Sequence, residues 1–327
     1  MNRSLLSILC CPECRADLSL VESNGVHGAV SQGTLKCVIC ARTYPISNFI
    51  PRFVSDANYA SNFGFQWNRF RRTQLDSATG ASISTERFFT SSDWTSHELQ
   101  RQSVLDVGCG AGRFAEVPLN LGSRVVAIDY SSAVDACMAN LGPSPRLDVV
   151  QADIYKLPFK DASFSYVYCF GVLQHTPDVK RAFMSLPRLL GPGGKLAVDV
   201  YPRLRLNAIW PKYWLRPITT RMDQQRLFRV IERSVPWLLP ISDALSRVPR
   251  FGRKLRWAVP VANHRLDYPQ LSPEQIREWA VLNTYDMFGP AYDRPQTAET
   301  LEAWFHEAGM TATKVFRHGH LCGHAVR

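Results

Sequence analysis

Two sets of residues in this chain have types and spacings that could do chemistry, one of thiols and one of carboxylates. The thiol set is Cys11-Pro-Glu-Cys14 and Cys37-Val-Ile-Cys40, two C-x-x-C pairs separated by a polar run holding Gly25, Gly28 and Gly33. Each pair presents two thiolates from a tight turn. Together they complete a tetrahedral S4 site for Zn²⁺ with no open position, so the ion would be structural and not catalytic. Cys10 is a neighbouring alternative ligand, but Cys11 gives the standard spacing to Cys14. Redox exchange at C-x-x-C needs a thiolate made acidic at a helix start, and neither pair opens a helix after a strand. Ordinary buried cysteines are the bland alternative, which two correctly spaced pairs explain poorly.

The carboxylate set is Asp106, Asp129 and Asp153, which close three successive apolar runs: Val104-Leu-Asp106, Val125-Val-Ala-Ile-Asp129 and Val149-Val-Gln-Ala-Asp153. After the first run come Gly108, Gly110 and Gly112, which allow a tight turn and close approach of a ligand. A helix beginning near Gly112 would aim its free N–H groups into the same place. Such a turn alone could hold NAD or FAD as well as S-adenosylmethionine (SAM). The acids separate these readings. Asp106 would repel a pyrophosphate in a low-dielectric turn but attract an ammonium group, and SAM carries both an ammonium and a sulfonium. Arg113 also stands where the dinucleotide pattern G-x-G-x-x-G wants its third glycine. Asp129 can accept both hydroxyls of a ribose, Asp153 an adenine amino group, and Ile154 offers apolar contact. Singly, Asp106 and Asp129 could be caps or turn formers. The ordered set is not explained that way.

The succession VLDVGCGAGRF, VVAIDYS, QADIYKLPF, FSYVYCFGVLQHTPD and GPGGKLAVDVY resembles the class I SAM-dependent methyltransferases over about residues 103–201. The resemblance implies SAM contacts at Asp106, Gly108, Gly110, Asp129, Asp153 and Ile154. Gly112 and Tyr130 belong to the same motifs, and Phe170 and Gly171 are expected as backbone or packing neighbours. Ser165 departs from the family's usual Asp at the opening of its fourth strand. The segment from Leu5-Leu6 through the cysteines to Tyr44-Pro-Ile-Ser-Asn-Phe-Ile-Pro51 resembles the Trm112-type zinc ribbons over about the first 54 residues. Those small proteins bind and activate methyltransferases and also occur fused to them, which implies a scaffolding role here.

Methyl transfer is an in-line displacement, so a protein must mainly align the nucleophile and exclude water. A hydroxyl acceptor would be helped by a base of near-neutral pKa, and His175 in Leu173-Gln174-His175-Thr-Pro lies just beyond the fourth strand, where the reacting edge should be. A capping or structural histidine is the competing reading, and Gln174 is a candidate acceptor contact beside it. Cys169 reads as core. The chain lacks the Asn/Asp-Pro-Pro-Tyr/Phe loop of nitrogen methylases after that strand. Asn62-Phe-Gly-Phe-Gln66-Trp67 is too aromatic for a free linker and could cover the SAM pocket as a helix or loop, or simply pack. Asn283-Thr-Tyr285-Asp286-Met-Phe-Gly-Pro-Ala-Tyr292 resembles an acceptor-side loop of bacterial methyltransferases, which makes Tyr285, Asp286 and Tyr292 acceptor candidates.

These residues need a scaffold, and the pattern supplies one. From Ser103 short apolar runs alternate with amphipathic stretches, the signature of βαβ units. Strands are expected near 103–107, 124–129, 147–151, 164–170 and 194–200, with a final pair near 311–317 and 320–326. The expected fold is α/β: a Rossmann-like seven-stranded class I methyltransferase sheet, a small N-terminal zinc ribbon and a helical basic insertion after strand five. The division is a Trm112-like ribbon over 1–56, a linker and cofactor-covering segment over 57–102, and a SAM-dependent methyltransferase domain over 103–327, with the insertion at about 202–268. A chain of 327 residues, 46% apolar, can bury such a core.

The insertion is chemically distinct. Residues 202–265 hold 14 Lys plus Arg against 3 Asp plus Glu, a balance of +11 against +10 for the whole chain. Its prolines should break it into short helices. A solvated helical lid is the plain reading. An anionic membrane surface, a phosphorylated carrier substrate or RNA are the sharper ones. Met1 to Leu9 lack the apolar run of a secretory leader, and no stretch approaches the roughly 18 uncharged apolar residues of a membrane span. The expected location is therefore cytoplasmic, with a peripheral membrane position open. The expected activity is methylation of a hydroxyl, or a carbon, on a biosynthetic metabolite, with a small-molecule or a glycan- or lipid-linked acceptor. Two alternatives stand beside it: an rRNA or tRNA methyltransferase gripping phosphates through ribbon and insertion, and a non-catalytic partner protein that docks through its ribbon.

Overall fold

The structure is a computed structural model and describes residues 1–26, 28–203 and 210–327. Six positions of the basic insertion, 204–209, lie outside the described residues. The chain divides into two compact units, one of residues 1–68, 84–202 and 292–327, the other of 69–83 and 203–291.

In the first unit, β1 (Leu18–Val26), β2 (Ala29–Cys37), β3 (Thr43–Ser47) and β4 (Ile50–Pro51) form an antiparallel sheet in that order. The second sheet contains β5 (Ser103–Val107), β6 (Arg124–Asp129), β7 (Leu147–Gln151), β8 (Phe164–Cys169), β9 (Leu190–Val200), β10 (Thr311–His318) and β11 (His320–Val326). Its order is β10-β11-β9-β8-β5-β6-β7. Strands β5 to β9 run parallel, while β11 is antiparallel to β9 and to β10. This is the expected seven-stranded class I sheet, with each expected strand in place. Both faces are covered, which is why the central strands read as unbroken β-branched runs. Leu105, Val107, Val126, Ile128, Val150 and Val167 enter one core, and Val104, Val125, Ala127, Val149, Tyr166 and Tyr168 the other. The chain runs outward from β5 to β7 and then returns to β8 on the far side of β5. That reversal creates the crevice at the strands' carboxyl ends where ligands of such sheets bind.

The ribbon is built onto the open edge of this sheet. Arg52 bridges to Gln151 of β7, with Phe53 N donating to Gln151 O at 2.9 Å, and Cys10 N donates to Pro158 O at 2.9 Å. Asn2 Nδ2 donates to Leu147 O and its backbone N to Asp148 Oδ1. Buried Leu5, Leu9, Leu35 and Ile46 share one apolar core with Val126, Ile128 and Val150. An exposed edge strand invites unwanted pairing, and here the ribbon covers it.

In chain order α1 (Ser61–Arg69), α2 (Asp76–Thr79) and α3 (Ile83–Ser92) follow β4. After β5 come α4 (Glu116–Asn120), α5 (Ala133–Leu141) and α6 (Val179–Met184). The second unit contains α7 (Pro211–Thr219), α8 (Gln224–Ser246), α9 (Gly252–Leu255) and α10 (Pro273–Phe288); α11 (Ala298–Glu307) returns to the first. The expectation of short, proline-broken helices fails at α8, which runs 23 residues with Pro236 and Pro240 inside it. Each proline removes a ladder donor. Leu227, Phe228, Ile231, Val235 and Leu239 nevertheless form a buried stripe, and packing of that stripe fixes the helix where propensity alone would not. Phe228 meets Tyr285 of α10 at 6.0 Å between ring centroids. Helix α10 starts on a capping box in which Ser272 and Gln275 satisfy each other's backbone donors.

Candidate functional site

The four cysteines converge. Their sulfurs all lie within 4.8 Å of one another, with Cys11 to Cys40 at 3.6 Å and Cys14 to Cys37 at 3.4 Å. A tetrahedron of sulfurs about 2.3 Å from Zn²⁺ has edges of roughly 3.8 Å, so the cage fits that ion. Cys40 N donates to Cys37 Sγ and the Tyr44 hydroxyl lies 3.2 Å from Cys11 Sγ, contacts that favour thiolate sulfur. Cys10 is fully buried beside the cage and outside the cluster.

At the carboxyl ends of the parallel strands, Asp106 lies on β5 opposite Ala127 and Tyr168, Asp129 ends β6, and Asp153 follows β7. Asp106 is 1% exposed with the Tyr168 hydroxyl beside it, and among the described residues its Oδ2 finds no well-formed hydrogen bond. Burial pushes the Asp106 carboxyl up to about 8; the nearby Tyr168 hydroxyl works against the rise and the Asp129 charge adds to it. A buried acid of this kind, below a glycine turn, suits a cationic ligand group. Asp129 is raised by burial, against hydrogen bonds from Ser131 and from Gly110 N. Its Oδ2 accepts from Gly110 N at 3.0 Å, and its Oδ1 from the Ser131 hydroxyl at 2.7 Å. Asp153 accepts from Tyr155 N at 2.9 Å and leads into buried Ile154.

The glycine turn is tight for a stated reason at two positions. Gly108 has φ +86°, and a Cβ there would sit 2.2 Å from Val172 Cγ2; Gly110 has φ +52°, and a Cβ would press on the Trp67 ring at 3.0 Å. Trp67 belongs to α1, so the aromatic segment is a helix laid over the turn. Asn68 Nδ2 ties it down by donating to Ser132 O at 2.9 Å. The helix expected from Gly112 begins four residues later, at Glu116, and is only five residues long with Pro118 inside. The turn's own N–H groups are consumed instead: Gly108 N and Cys109 N both donate to Ile128 O, and Gly112 N to Cys109 O. Arg113 is also spent internally, donating to Ser84 Oγ at 3.2 Å.

His175 sits in a 3-10 turn (Leu173–His175) after β8, 5% exposed. Its Nδ1 lies 2.9 Å from Tyr292 O. A carbonyl only accepts, so Nδ1 carries a hydrogen, and in the neutral ring that leaves the lone pair on Nε2. Phe63 of α1 and Tyr201 flank the ring at 5.2 and 5.4 Å between centroids. Gln174 is fully buried, and among the described residues neither its amide atoms nor Asn62 Nδ2 of α1 has a hydrogen-bond partner. Tyr59 meets Tyr130 at 5.0 Å and Tyr292 at 5.7 Å. Of the acceptor candidates, Gln174 and Tyr292 are thus brought to His175. Tyr285 and Asp286 are not on a loop but on α10 of the second unit, where Tyr285 is fully buried. The register of apolar side chains continues through them and keeps the helix going.

One constellation was missed from sequence. Asp199, fully buried on β9, accepts from Arg87 Nη2 of α3 at 2.7 Å and from Gly171 N. Burial alone would raise its pKa; the charges of Arg87 and His320 and the Gly171 N–H hold it below the usual carboxylate range. Asp199 carried the same signal as the other acids, a carboxylate near the end of an apolar strand. Arg87 carried none. Gly171 stands at this pair, and the Arg87 guanidinium lies 5.2 Å from the centre of the Phe114 ring, which Phe170 meets at 5.5 Å.

A parallel five-strand core with two antiparallel edge strands, a glycine turn and acids at successive strand ends define the class I methyltransferase architecture. Family models agree on both parts: residues 105–198 match a methyltransferase domain and residues 2–48 a Trm112p-like protein. The chain thus carries a SAM-dependent methyltransferase domain over residues 105–198 and a Trm112-like segment over residues 2–48. It is similar to an uncharacterized protein of Synechococcus sp. (27% identical, 65% of this chain and 48% of that one). It also resembles a sterol 4-C-methyltransferase of Caenorhabditis elegans (33%; 32% and 31%) and a ubiquinone biosynthesis O-methyltransferase of Xanthomonas oryzae pv. oryzae (35%; 32% and 46%). The matches therefore span less than half of each relative's own length. No helix among the described residues is long and apolar enough to cross a membrane.

Proposed function

We propose that this chain transfers a methyl group from SAM to a hydroxyl of an apolar, lipid-class biosynthetic acceptor. The proposal includes Zn²⁺ as a staple in the Cys11, Cys14, Cys37 and Cys40 cage, and the division into a ribbon (1–56), a covering segment (57–102) and a methyltransferase domain (103–327). The observation that carries it is His175, held in one tautomer by Tyr292 O with a Gln174 amide, unpaired among the described residues, beside it, at the strand ends that bear the three acids. SAM, when bound, supplies an electrophilic methyl group. Asp106 would neutralise its ammonium group, while Asp129 and Asp153 would accept from ribose and adenine. Helix α1 covers the turn and excludes water. Gln174 would orient the acceptor hydroxyl, whose proton would pass to His175 Nε2 as its oxygen takes the methyl group and the methyl–sulfur bond breaks, its electron pair returning to sulfur. The named activities of two relatives, on a sterol and in ubiquinone biosynthesis, favour an apolar acceptor.

The test is transfer of labelled methyl groups into fractionated extract. Label that enters the organic phase and resists ribonuclease supports the reading; ribonuclease-sensitive label would replace it with RNA methylation, and no transfer with no SAM-induced rise in melting temperature would point to a non-catalytic partner. His175→Ala is expected to lower kcat by about 10²–10⁴-fold. SAM affinity should stay within about threefold, so that the loss falls on kcat at saturating SAM. A purely structural histidine would instead alter both terms and the melting temperature.

The Asp106 carboxyl gives a pH prediction. Because its pKa is raised by burial, its proton contributes stability to the ligand-free fold that is complete below about pH 4 and lost as pH rises through about 8. A bound cation favours the carboxylate, so SAM binding below pH 8 should expel that proton, and affinity should weaken by up to about tenfold per pH unit on acidification. Calorimetry near pH 7 in buffers of different ionisation enthalpy should report close to one proton released per SAM. Asp106→Asn should abolish the release. Equal proton release by that variant would remove Asp106 from the site.

A further inference from the structure

We propose that the exposed face of α8 is a docking surface for an anionic lipid bilayer. Helix α8 is apolar on two sides. One side is the buried stripe that fixes its course. On the other, Val230, Trp237 and Ile241, followed by Val248 just past the helix, are 50%, 79%, 53% and 39% exposed. Within the helix the separations of 7 and 4 residues return to within roughly 20° of one line. Phe251, 63% exposed, follows them. Single exposed apolar residues are ordinary, whereas a collinear series about 16 Å long on the helix, with a tryptophan inside it and further exposed apolar residues just beyond, is not.

Charge identifies the occupant. Arg226, Arg229 and Arg233 fall within about 100° to one side of that line, and Arg247, Arg250 and Lys254 continue the basic run. All six are exposed, and none has a carboxylate partner among the described residues. The acids of α8 are already engaged, Glu232 by Arg69 at 3.0 Å and Asp243 by Arg265 at 3.0 Å. An apolar strip flanked by unneutralised arginines is the cross-section of a helix lying in a bilayer interface, with Trp at the headgroup level and Arg on lipid phosphates. A protein partner would need a matching acidic groove. RNA would make use of the arginines but leave the apolar strip in water. This proposal does not rest on the acceptor being a lipid.

The full chain is tested by sedimentation with phosphatidylcholine vesicles, with and without phosphatidylglycerol, while tryptophan emission is followed. Binding is expected to the anionic vesicles alone, with a blue shift and a decline in salt. The double variant Trp237→Ser with Ile241→Ser should lose at least about tenfold in partitioning and the blue shift. Each of Arg226→Gln, Arg229→Gln and Arg233→Gln should cost about fivefold. All these side chains are exposed, so circular dichroism and SAM-induced stabilisation should be unchanged. Binding to neither vesicle, or equal binding to both, overturns the proposal. So does dimerisation abolished by the Trp237 double variant, or an RNA complex lost with the arginines when vesicles are not bound.

Discussion

Stripping the metal with a strong chelator, or replacing Cys37 with serine, is expected to unfold the N-terminal ribbon and to destabilise the α/β unit with it. The ribbon is small, and its four sulfurs lie within 4.8 Å of one another, a spacing whose mutual repulsion as thiolates a cation would offset. Apparent binding free energies of structural zinc in small domains are about 10–16 kcal/mol, as large as the whole net stability of a typical domain at about 5–15 kcal/mol. The loss does not stop at the ribbon. Leu5, Leu9, Leu35 and Ile46 are buried in the same apolar core as Val126, Ile128 and Val150, and each such side chain stabilises by about 1.5–3 kcal/mol. Unfolding would also strip the cover from β7, leaving Gln151 O and Leu147 O without their partners. Metal analysis should give one zinc per chain. Hydrogen exchange should accelerate first over 1–53 and then in β7, and the melting temperature should fall. An unchanged melting transition and unchanged β7 exchange in the metal-free protein would show that the ribbon is an independent appendage.

The strands of the α/β unit were legible because a buried parallel strand must be apolar on both faces and must end where a polar ligand or turn begins. Val104–Asp106, Val125–Asp129 and Val149–Asp153 each meet both conditions. The thiol cage was legible from spacing alone. What escaped notice depended on tertiary contact. Nothing local to α8 says that Pro236 and Pro240 will be tolerated; the buried stripe on its inner side decides that. Residues 283–288 were expected as a loop through their resemblance to an acceptor-side loop of bacterial methyltransferases, yet Leu282, Thr284, Tyr285 and Phe288 are buried and hold the helix. The helix expected at Gly112 was displaced because the turn's donors are taken up by Ile128 O and Cys109 O. The Arg87–Asp199 pair joins positions 112 residues apart, beyond any periodicity.

That pair supplies the second large effect. Arg87→Ala is expected to destabilise the protein by about 3–5 kcal/mol, because it leaves Asp199 fully buried with its charge uncompensated. For a chain of this size that is on the order of 10 °C in melting temperature. A simple cavity would also destabilise, and pH separates the two causes. In the native protein the Asp199 pKa lies below its unfolded value, so the pair contributes stability that is present above about pH 4 and is lost as pH falls through the lower, folded value. Without Arg87 the burial that opposes ionisation is no longer outweighed, and the folded pKa moves above the unfolded one. The variant should then lose stability as pH rises toward neutrality. Its deficit should be small near pH 4 and largest at pH 8, whereas a cavity gives the same deficit at both. Adding Asp199→Asn removes the stranded charge and retains Oδ1 as an acceptor for Gly171 N, so the double variant should recover most of the loss at pH 8. If it recovers nothing, Arg87 contributes through packing on Phe114 and not through the ion pair.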